Sequence, residues 1–301
     1  MRRLTLLTNP DVCNLRCPLC FLNQRGRGAG LGEMPLEVAR AAVEKYAGDA
    51  AGAEPLREVI PSTMGEPLLY SRFAELLELC KGRGIPLNLT TNGTFSGRWG
   101  SDEGMETLLL ACSDIKVSTL SYETGGFSER EWKGNVERLL AVRRRLLDGD
   151  GLRLVDSPRS RAASVSLQVT LHRENAATAV ELLRWAEATG ISRVKWNPVV
   201  FLKCASAELR ERFALPNGAL EQLRQELHSD SVRCEGSLYF EGRDGSCTVG
   251  GSCAVGGSCA VGGNCSPERD AAAKSCPFAD EVWVWPDGHQ DHCPEPNRRW
   301  G

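Results

Sequence analysis

The run Cys13-Asn14-Leu15-Arg16-Cys17-Pro18-Leu19-Cys20 sets three thiols at C-x3-C-x2-C spacing. Three thiolates on so short a loop suit three irons of a cubane [4Fe–4S] cluster. They leave the fourth iron without a ligand from that loop, and an open iron can bind a small molecule and pass it an electron. Zinc is the competing reading, because a zinc site closes at four ligands and this chain has 13 cysteines to supply the fourth. Structural zinc modules favour paired C-x2-C knuckles, however, and in this loop only Cys17 and Cys20 have that spacing.

Outward from the loop, strand-like and helix-like stretches alternate. Apolar or β-branched runs occur at Leu4–Thr8, Glu58–Ser62, Leu87–Thr91, Ile115–Leu120, Val165–Leu171 and Val194–Val200. Between and after them lie amphipathic stretches at Leu36–Tyr46, Ser71–Lys81, Met105–Ala111, Glu129–Leu147, Ala177–Ala188 and Ala207–Leu227. This rhythm predicts βαβ crossovers and a parallel sheet covered by helices. Pro35 marks a helix start and Gly190 a helix end. Gly149–Arg161, rich in Asp, Gly, Ser and Pro, reads as a surface loop. Six βα units are too few for a closed eight-unit barrel.

In such a sheet, reactive groups gather at the carboxyl ends of strands, where the cysteine triplet falls. After the second strand comes Met64-Gly65-Glu66-Pro67. A glycine there lets the backbone approach closely, and a carboxylate offers a partner to an ammonium group, although the same residues also make ordinary turns. Thr91-Asn92-Gly93 follows the third strand and Ser118 the fourth. Turn formation and satisfaction by a neighbouring backbone group are their plain structural readings.

The cysteine run and Gly65-Glu66-Pro67, each after its own strand, resemble the signatures of the radical S-adenosylmethionine (radical SAM) family. The resemblance implies a six-unit partial (β/α)6 TIM-like barrel. It implies a [4Fe–4S] cluster on Cys13, Cys17 and Cys20 whose open iron chelates the amino and carboxylate groups of S-adenosylmethionine. Gly65, Glu66 and Pro67 are similar to the family's GGEP motif at the SAM amino group. Asn92 matches a residue recurring after strand three, and Ser118 a polar group near the ribose or carboxylate. Two residues depart from the pattern: Met64 stands for the first glycine, and Leu19 for an aromatic residue before the third cysteine, with Phe21 adjacent. The implied reaction is reductive cleavage of SAM to a 5′-deoxyadenosyl radical that abstracts a substrate hydrogen. The favoured substrate is a peptide or protein, with a small molecule as the alternative and a reductant such as flavodoxin or ferredoxin supplying electrons. A non-catalytic iron–sulfur carrier or zinc-binding protein is the reading from another class.

Composition changes near residue 229, which divides a core at 1–228 from a cysteine- and glycine-rich module at 229–301. Cys247-Thr-Val-Gly-Gly-Ser-Cys253-Ala-Val-Gly-Gly-Ser-Cys259-Ala-Val-Gly-Gly-Asn-Cys265 repeats one six-residue unit, as an expanded loop would. The spacing Cys276-x11-Gly288-x4-Cys293 brackets a run that reads as a β-hairpin through Pro286-Asp287-Gly288. It is similar to the opening of the SPASM extension and its shorter twitch relative. That likeness implies an auxiliary iron–sulfur cluster on Cys276 and Cys293, with further ligands open among Cys234, Cys247, Cys253, Cys259 and Cys265. A zinc knuckle is the alternative. Cys80 and Cys112 read as buried thiols, and Cys204 as a bystander or mouth-facing thiol. His172, His289 and His292 are unranked proton-transfer candidates.

A net charge of −3 and a pI near 5.9 mark no nucleic-acid surface. No apolar run is long enough to span a bilayer and the amino end lacks a secretory apolar stretch, so the expectation is a soluble cytoplasmic protein. In a reducing compartment so many cysteines are more naturally ligands or buried thiols than disulfides.

Overall fold

The computed structural model describes residues 2–26, 30–48, 55–61, 64–148, 162–239 and 281–291. Its strands are β1 (Arg2–Leu6), β2 (Leu56–Ile60), β3 (Leu87–Thr91), β4 (Cys112–Ser118), β5 (Ser164–Leu171), β6 (Arg193–Pro198), β7 (Arg233–Glu235), β8 (Glu281–Val284) and β9 (Gln290–Asp291). The crossovers carry the main helices α2 (Leu36–Ala47), α3 (Phe73–Gly82), α4 (Asp102–Ala111), α6 (Glu129–Asp148) and α7 (Ala179–Thr189), then α8 (Ala207–Phe213) and α9 (Ala219–Glu226). Single-turn helices α1 (Phe21–Gln24) and α5 (Leu120–Glu123) follow β1 and β4. The strands form one sheet in the order β7-β6-β5-β4-β3-β2-β1-β8-β9, parallel except at β8–β9. The fold is thus the expected α/β partial barrel, and its sheet is not closed.

Side-chain alternation assigns the two faces of the sheet. Leu4, Leu6, Val59, Leu89, Ile115, Val117, Leu167 and Val194 are fully buried in the main core with residues of the helices. The alternate positions carry a polar network. Arg3 meets Glu58 at 2.9 Å and Glu281 at 3.3 Å, and Asn88 donates to Glu58 at 2.9 Å. Asp114 is the hub of the other half. It accepts from Ser164 at 2.6 Å and Ser166 at 2.9 Å, pairs with Lys116 at 3.3 Å and takes a short contact from Arg193. Burial lowers the Lys116 ammonium below its ordinary range, against the pull of Asp114.

Local rules account for the helix limits. Pro35 stands at the N-cap of α2, and Gly190 closes α7 in the left-handed region at φ 84°. The expected helix Ala207–Leu227 is two helices, interrupted at residues 214–218. Pro216 has no N–H to continue a ladder and disfavours the helical conformation at Leu215, while Gly218 turns at φ 81°.

The sheet runs across the compositional boundary at residue 228. β7 pairs with β6 through Val194↔Cys234, and β8 pairs with β1 through Arg3↔Glu281 to Leu6↔Val284. The expected hairpin is present: β8 turns through Pro286, Asp287 and Gly288 into antiparallel β9, with the Trp285 N–H donating to the His289 carbonyl at 2.9 Å. The hexad repeat, Cys276, Cys293, His292 and the Gly149–Arg161 loop lie outside the described residues.

Asp114 is the test of the inner network. Asp114→Ala strands Lys116 and Arg193 and should lower folding stability by about 3 kcal/mol. A fall in denaturant midpoint at unchanged slope would show this, and a shift under about 0.5 kcal/mol would make the network dispensable.

Candidate active site at the carboxyl end of the sheet

The loop after β1 is locked in place before it reaches the cysteines. Leu7 N–H donates to the Val284 carbonyl of β8 at 2.9 Å, and Thr8 and Asn9 are fully buried. Asn9 Nδ2 donates to the Glu66 carbonyl at 2.7 Å, and Glu66 N–H donates to the Val12 carbonyl at 2.8 Å. Gly65 makes this approach feasible. It sits at φ 75°, and a Cβ there would lie 2.2 Å from the Asn9 carbonyl oxygen and 2.7 Å from that of Val12.

Glu66 then joins the β2 loop to the β3 loop. Its side chain, 1% exposed, accepts from Thr91 Oγ1 at 2.8 Å, Asn92 N–H at 2.7 Å and Leu68 N–H at 3.2 Å. Burial raises the carboxyl from 4.5 to about 7, against those three donors. The carboxylate is therefore engaged by the protein itself. Pro67 opens the short 3-10 turn that Glu66 caps.

The cysteines follow. Cys20 N–H donates to the Cys17 carbonyl at 3.1 Å, a tight turn that holds these two residues together. Cys17 is buried and its Sγ lies 3.3 Å from the Leu120 carbonyl at the start of α5. Burial, then the neighbouring thiols of Cys20 and Cys13, push it up to about 12. A thiol in that setting ionises when a cation compensates the charge, as a bound iron would. Gly125 completes its cradle, since a Cβ there would stand 2.6 Å from Cys17 Sγ. Cys13 Sγ meets Leu15 N–H at 3.4 Å, Asn92 Nδ2 at 3.8 Å and Asn14 Oδ1 at 4.0 Å. Among the described residues no three metal-ligating side chains converge on a point for one ion. A cubane does not require it, because each thiolate serves a different iron. The donor set and the closeness of the three thiols fit such a cluster.

Several residues that brace this loop had no local sequence signal. Asn23 Nδ2 donates to the Cys17 carbonyl at 2.6 Å, and Gln24 bridges the Leu19 carbonyl at 2.8 Å to Leu202 N–H at 2.8 Å. Arg25 pairs with Asp11 at 2.6 Å, both largely buried. Leu7, Leu22, Met64, Leu202 and Trp283 form a small apolar cluster against which Cys13, Cys20 and Phe21 pack. Met64, which replaces a glycine of the motif, is 3% exposed within it, and Leu19 is 4% exposed.

Of the other candidates, Ser118 ends β4, its carbonyl accepting from Trp132 Nε1 at 3.0 Å and Ser121 Oγ at 3.0 Å. His172 follows β5 and is fully buried. Its Nδ1 accepts from Glu174 N–H at 3.3 Å, and its Nε2, 3.6 Å from Glu123 Oε2, has no hydrogen-bond partner among the described residues. It borders a cavity of about 220 Å3 that also touches Val169 and Leu182. His289 is exposed on the β8–β9 turn. Cys204 is exposed, its Sγ 3.5 Å from the Gln24 carbonyl. Cys234 lies on β7 against Trp196 and Tyr239, and Cys80 and Cys112 are the buried thiols expected.

Residues 10–140 match the family model of the radical SAM superfamily. Over those residues the chain is similar to a radical SAM domain. S-adenosylmethionine and an iron–sulfur cluster are the cofactors of that family. No curated protein matches the chain in sequence. In fold it is similar to Streptococcus suis SuiB bound to precursor peptide SuiA, at 14% identity and TM-score 0.59, over 99% of this chain and 60% of that one. SuiB bound to S-adenosylmethionine aligns over 97% of this chain and 60% of its own, with the same identity and TM-score. Native anSMEcpe with bound AdoMet aligns at 15% identity and TM-score 0.54, over 75% of this chain and 59% of that one. The chain therefore spans about three fifths of the length of these structures. Among the described residues no helix is long and apolar enough to cross a membrane.

The raised carboxyl of Glu66 fixes a sign. Its folded value near 7 exceeds its unfolded value near 4.5, so its contribution to stability is full below pH 4.5 and is lost as pH rises through 7. The change is on the order of 3 kcal/mol. Glu66→Gln should therefore flatten the fall in denaturant midpoint between pH 5 and pH 8. Parallel profiles for the two proteins would refute the buried carboxyl.

Proposed function

We propose that this chain is a radical SAM enzyme in which Cys13, Cys17 and Cys20 hold a [4Fe–4S] cluster with one open iron. Gly65, Glu66, Pro67, Asn92 and Ser118 border the S-adenosylmethionine, and the substrate is a peptide or protein. The observation that carries this reading is the bracing of one cysteine loop by its neighbours. Val12 is held by the β2 loop, Cys13 meets the β3 loop through Asn92, and Cys17 meets the α5 turn after β4. When bound, the cluster supplies the electron that cleaves SAM to methionine and a 5′-deoxyadenosyl radical, which takes a hydrogen atom from the substrate.

The chain's own residues position and shield. Gly65 admits close backbone approach, and Glu66 fixes the relative place of the loops bearing Cys13 and Asn92. Its buried carboxylate acts on SAM through that geometry. The Leu7–Leu22–Met64–Leu202–Trp283 cluster keeps water from one side of the cysteine loop, as radical chemistry requires. The peptide reading is supported by the tail spacing and by peptide-bound fold relatives, SuiB with SuiA and anSMEcpe with the Kp18Cys peptide. A flavodoxin or ferredoxin in a reducing, cytoplasmic compartment is the matching electron source.

The tail reading assigns an auxiliary cluster to Cys276 and Cys293. The hairpin between them starts at Glu281 and ends at Asp291, docked on β1.

Replacing Cys13, Cys17 and Cys20 together by alanine should abolish 5′-deoxyadenosine formation while far-UV circular dichroism stays unchanged, since the apolar core is built without the metal. Continued SAM cleavage by that protein would remove the ligand assignment. The double variant Cys276→Ala/Cys293→Ala should lose one cluster's iron, about four atoms, and keep the first cluster. Zinc rather than iron in the parent tail would make it a structural knuckle.

A further inference from the structure

We propose that Asn92 is a positioning residue for the cluster. It donates an N–H···S hydrogen bond to Cys13 and thereby raises the ease with which the cluster takes up an electron. This inference rests on the functional reading above and goes beyond it, since it gives Asn92 a role toward the cluster besides its place beside SAM.

The network leaves the Asn92 amide one orientation. Thr94 N–H can only donate, and the atom it meets at 2.9 Å must be the carbonyl oxygen Oδ1. Thr94 Oγ1 donates to the same oxygen at 2.7 Å. The amide nitrogen therefore faces the other way, 2.8 Å from Asn14 Oδ1 and 3.8 Å from Cys13 Sγ. Asn14 is oriented in turn, its Nδ2 donating to Thr94 Oγ1 at 3.0 Å and Ser96 Oγ at 3.3 Å. The Asn92 backbone is held separately by Glu66 Oε2 at 2.7 Å. A closed ring of directed bonds thus aims one N–H of Asn92 at a cluster thiolate.

Hydrogen bonds to cluster sulfurs stabilise the negative charge that arrives with an electron, and so raise the reduction potential. Cys17 Sγ is more buried and lies 3.3 Å from the Leu120 carbonyl, with Thr124 and the Cys17 N–H as its donors. Cys13 Sγ has the Asn14 amide oxygen 4.0 Å away, and its donors are Leu15 N–H and Asn92 Nδ2, the latter from a side chain whose direction the ring sets.

Two variants separate tuning from structure. Asn92→Ser keeps an oxygen for the turn at Thr94 and is too short to reach Cys13. Thr94→Val opens the same ring at Thr94 Oγ1, while the Thr94 N–H still fixes the Asn92 amide oxygen. The full chain is reconstituted anaerobically, its iron and sulfide are counted, and the reduced cluster signal that Cys13→Ala abolishes is titrated by electron paramagnetic resonance. Asn92→Ser should retain its iron and show about a tenfold lower reduced-to-oxidised ratio at fixed applied potential, ~59 mV for one electron. Thr94→Val should stay within about twofold of the parent. An unchanged ratio in Asn92→Ser overturns the inference, as does an equal fall in Thr94→Val or loss of iron from Asn92→Ser. A parent chain that holds no cluster on Cys13, Cys17 and Cys20 fails at the iron count, which overturns the functional reading itself and this inference with it.

Discussion

The residues of the site depend on the buried Glu66. Its N–H and carbonyl hold the loop of β1 at Val12 and Asn9, while its carboxylate holds the loop of β3 at Thr91 and Asn92. Three strand ends are thus tied to one residue with no water between them. A buried carboxylate is costly, and only full hydrogen bonding makes it tolerable. That cost gives specificity, because the two carboxylate oxygens serve Thr91 Oγ1, Asn92 N–H and Leu68 N–H together. Gly65 is the geometric counterpart, since two backbone oxygens crowd the space where a Cβ would stand.

The second constraint is the two-faced sheet. A partial barrel buries its outer face under helices by apolar packing, and its inner face must be filled by groups that satisfy one another. Arg3, Glu58 and Glu281 do this at one side, and Asp114, Lys116 and Arg193 at the other. Most of this network lies at the amino half and middle of the strands, and the loops beyond their carboxyl ends carry the cysteines and their neighbours. Rigidity at the base and function at the mouth follow from the same alternation.

Much of this is legible in the chain. The βα rhythm and the Pro286-Asp287-Gly288 hairpin are local, so each reads correctly without the fold. The alternation Asp114-x-Lys116-x-Ser118 and Arg193-x-Lys195-x-Asn197 was also there to read. Seeing those strands only as apolar runs hides a polar interior that a period-two count exposes. The direction of the Glu66 carboxylate was not legible. A Gly-Glu-Pro turn suggests an outward charge, whereas Thr91 and Asn92 reach it only once β2 and β3 lie side by side. Asn23, Gln24, Asp11 and Gly125 escape for the same reason, their partners being set by loop packing. The single helix read over Ala207–Leu227 fails on a local signal, Pro216, that the amphipathic period overrode.

The tail shows why composition and architecture part company. Residues beyond 228 look like a separate module, yet β8 supplies what β1 lacks. Without it, the N–H and C=O groups on that edge of β1 would face solvent, and Arg3 would lose Glu281. β8 also brings Trp283 against Leu7 and Met64, with Trp285 packed beside that cluster, next to Cys13 and Cys20. The strand that completes the sheet therefore also walls the cysteine loop. The first six strands do not wall the cysteine loop on this side, so β8 belongs to the site by packing.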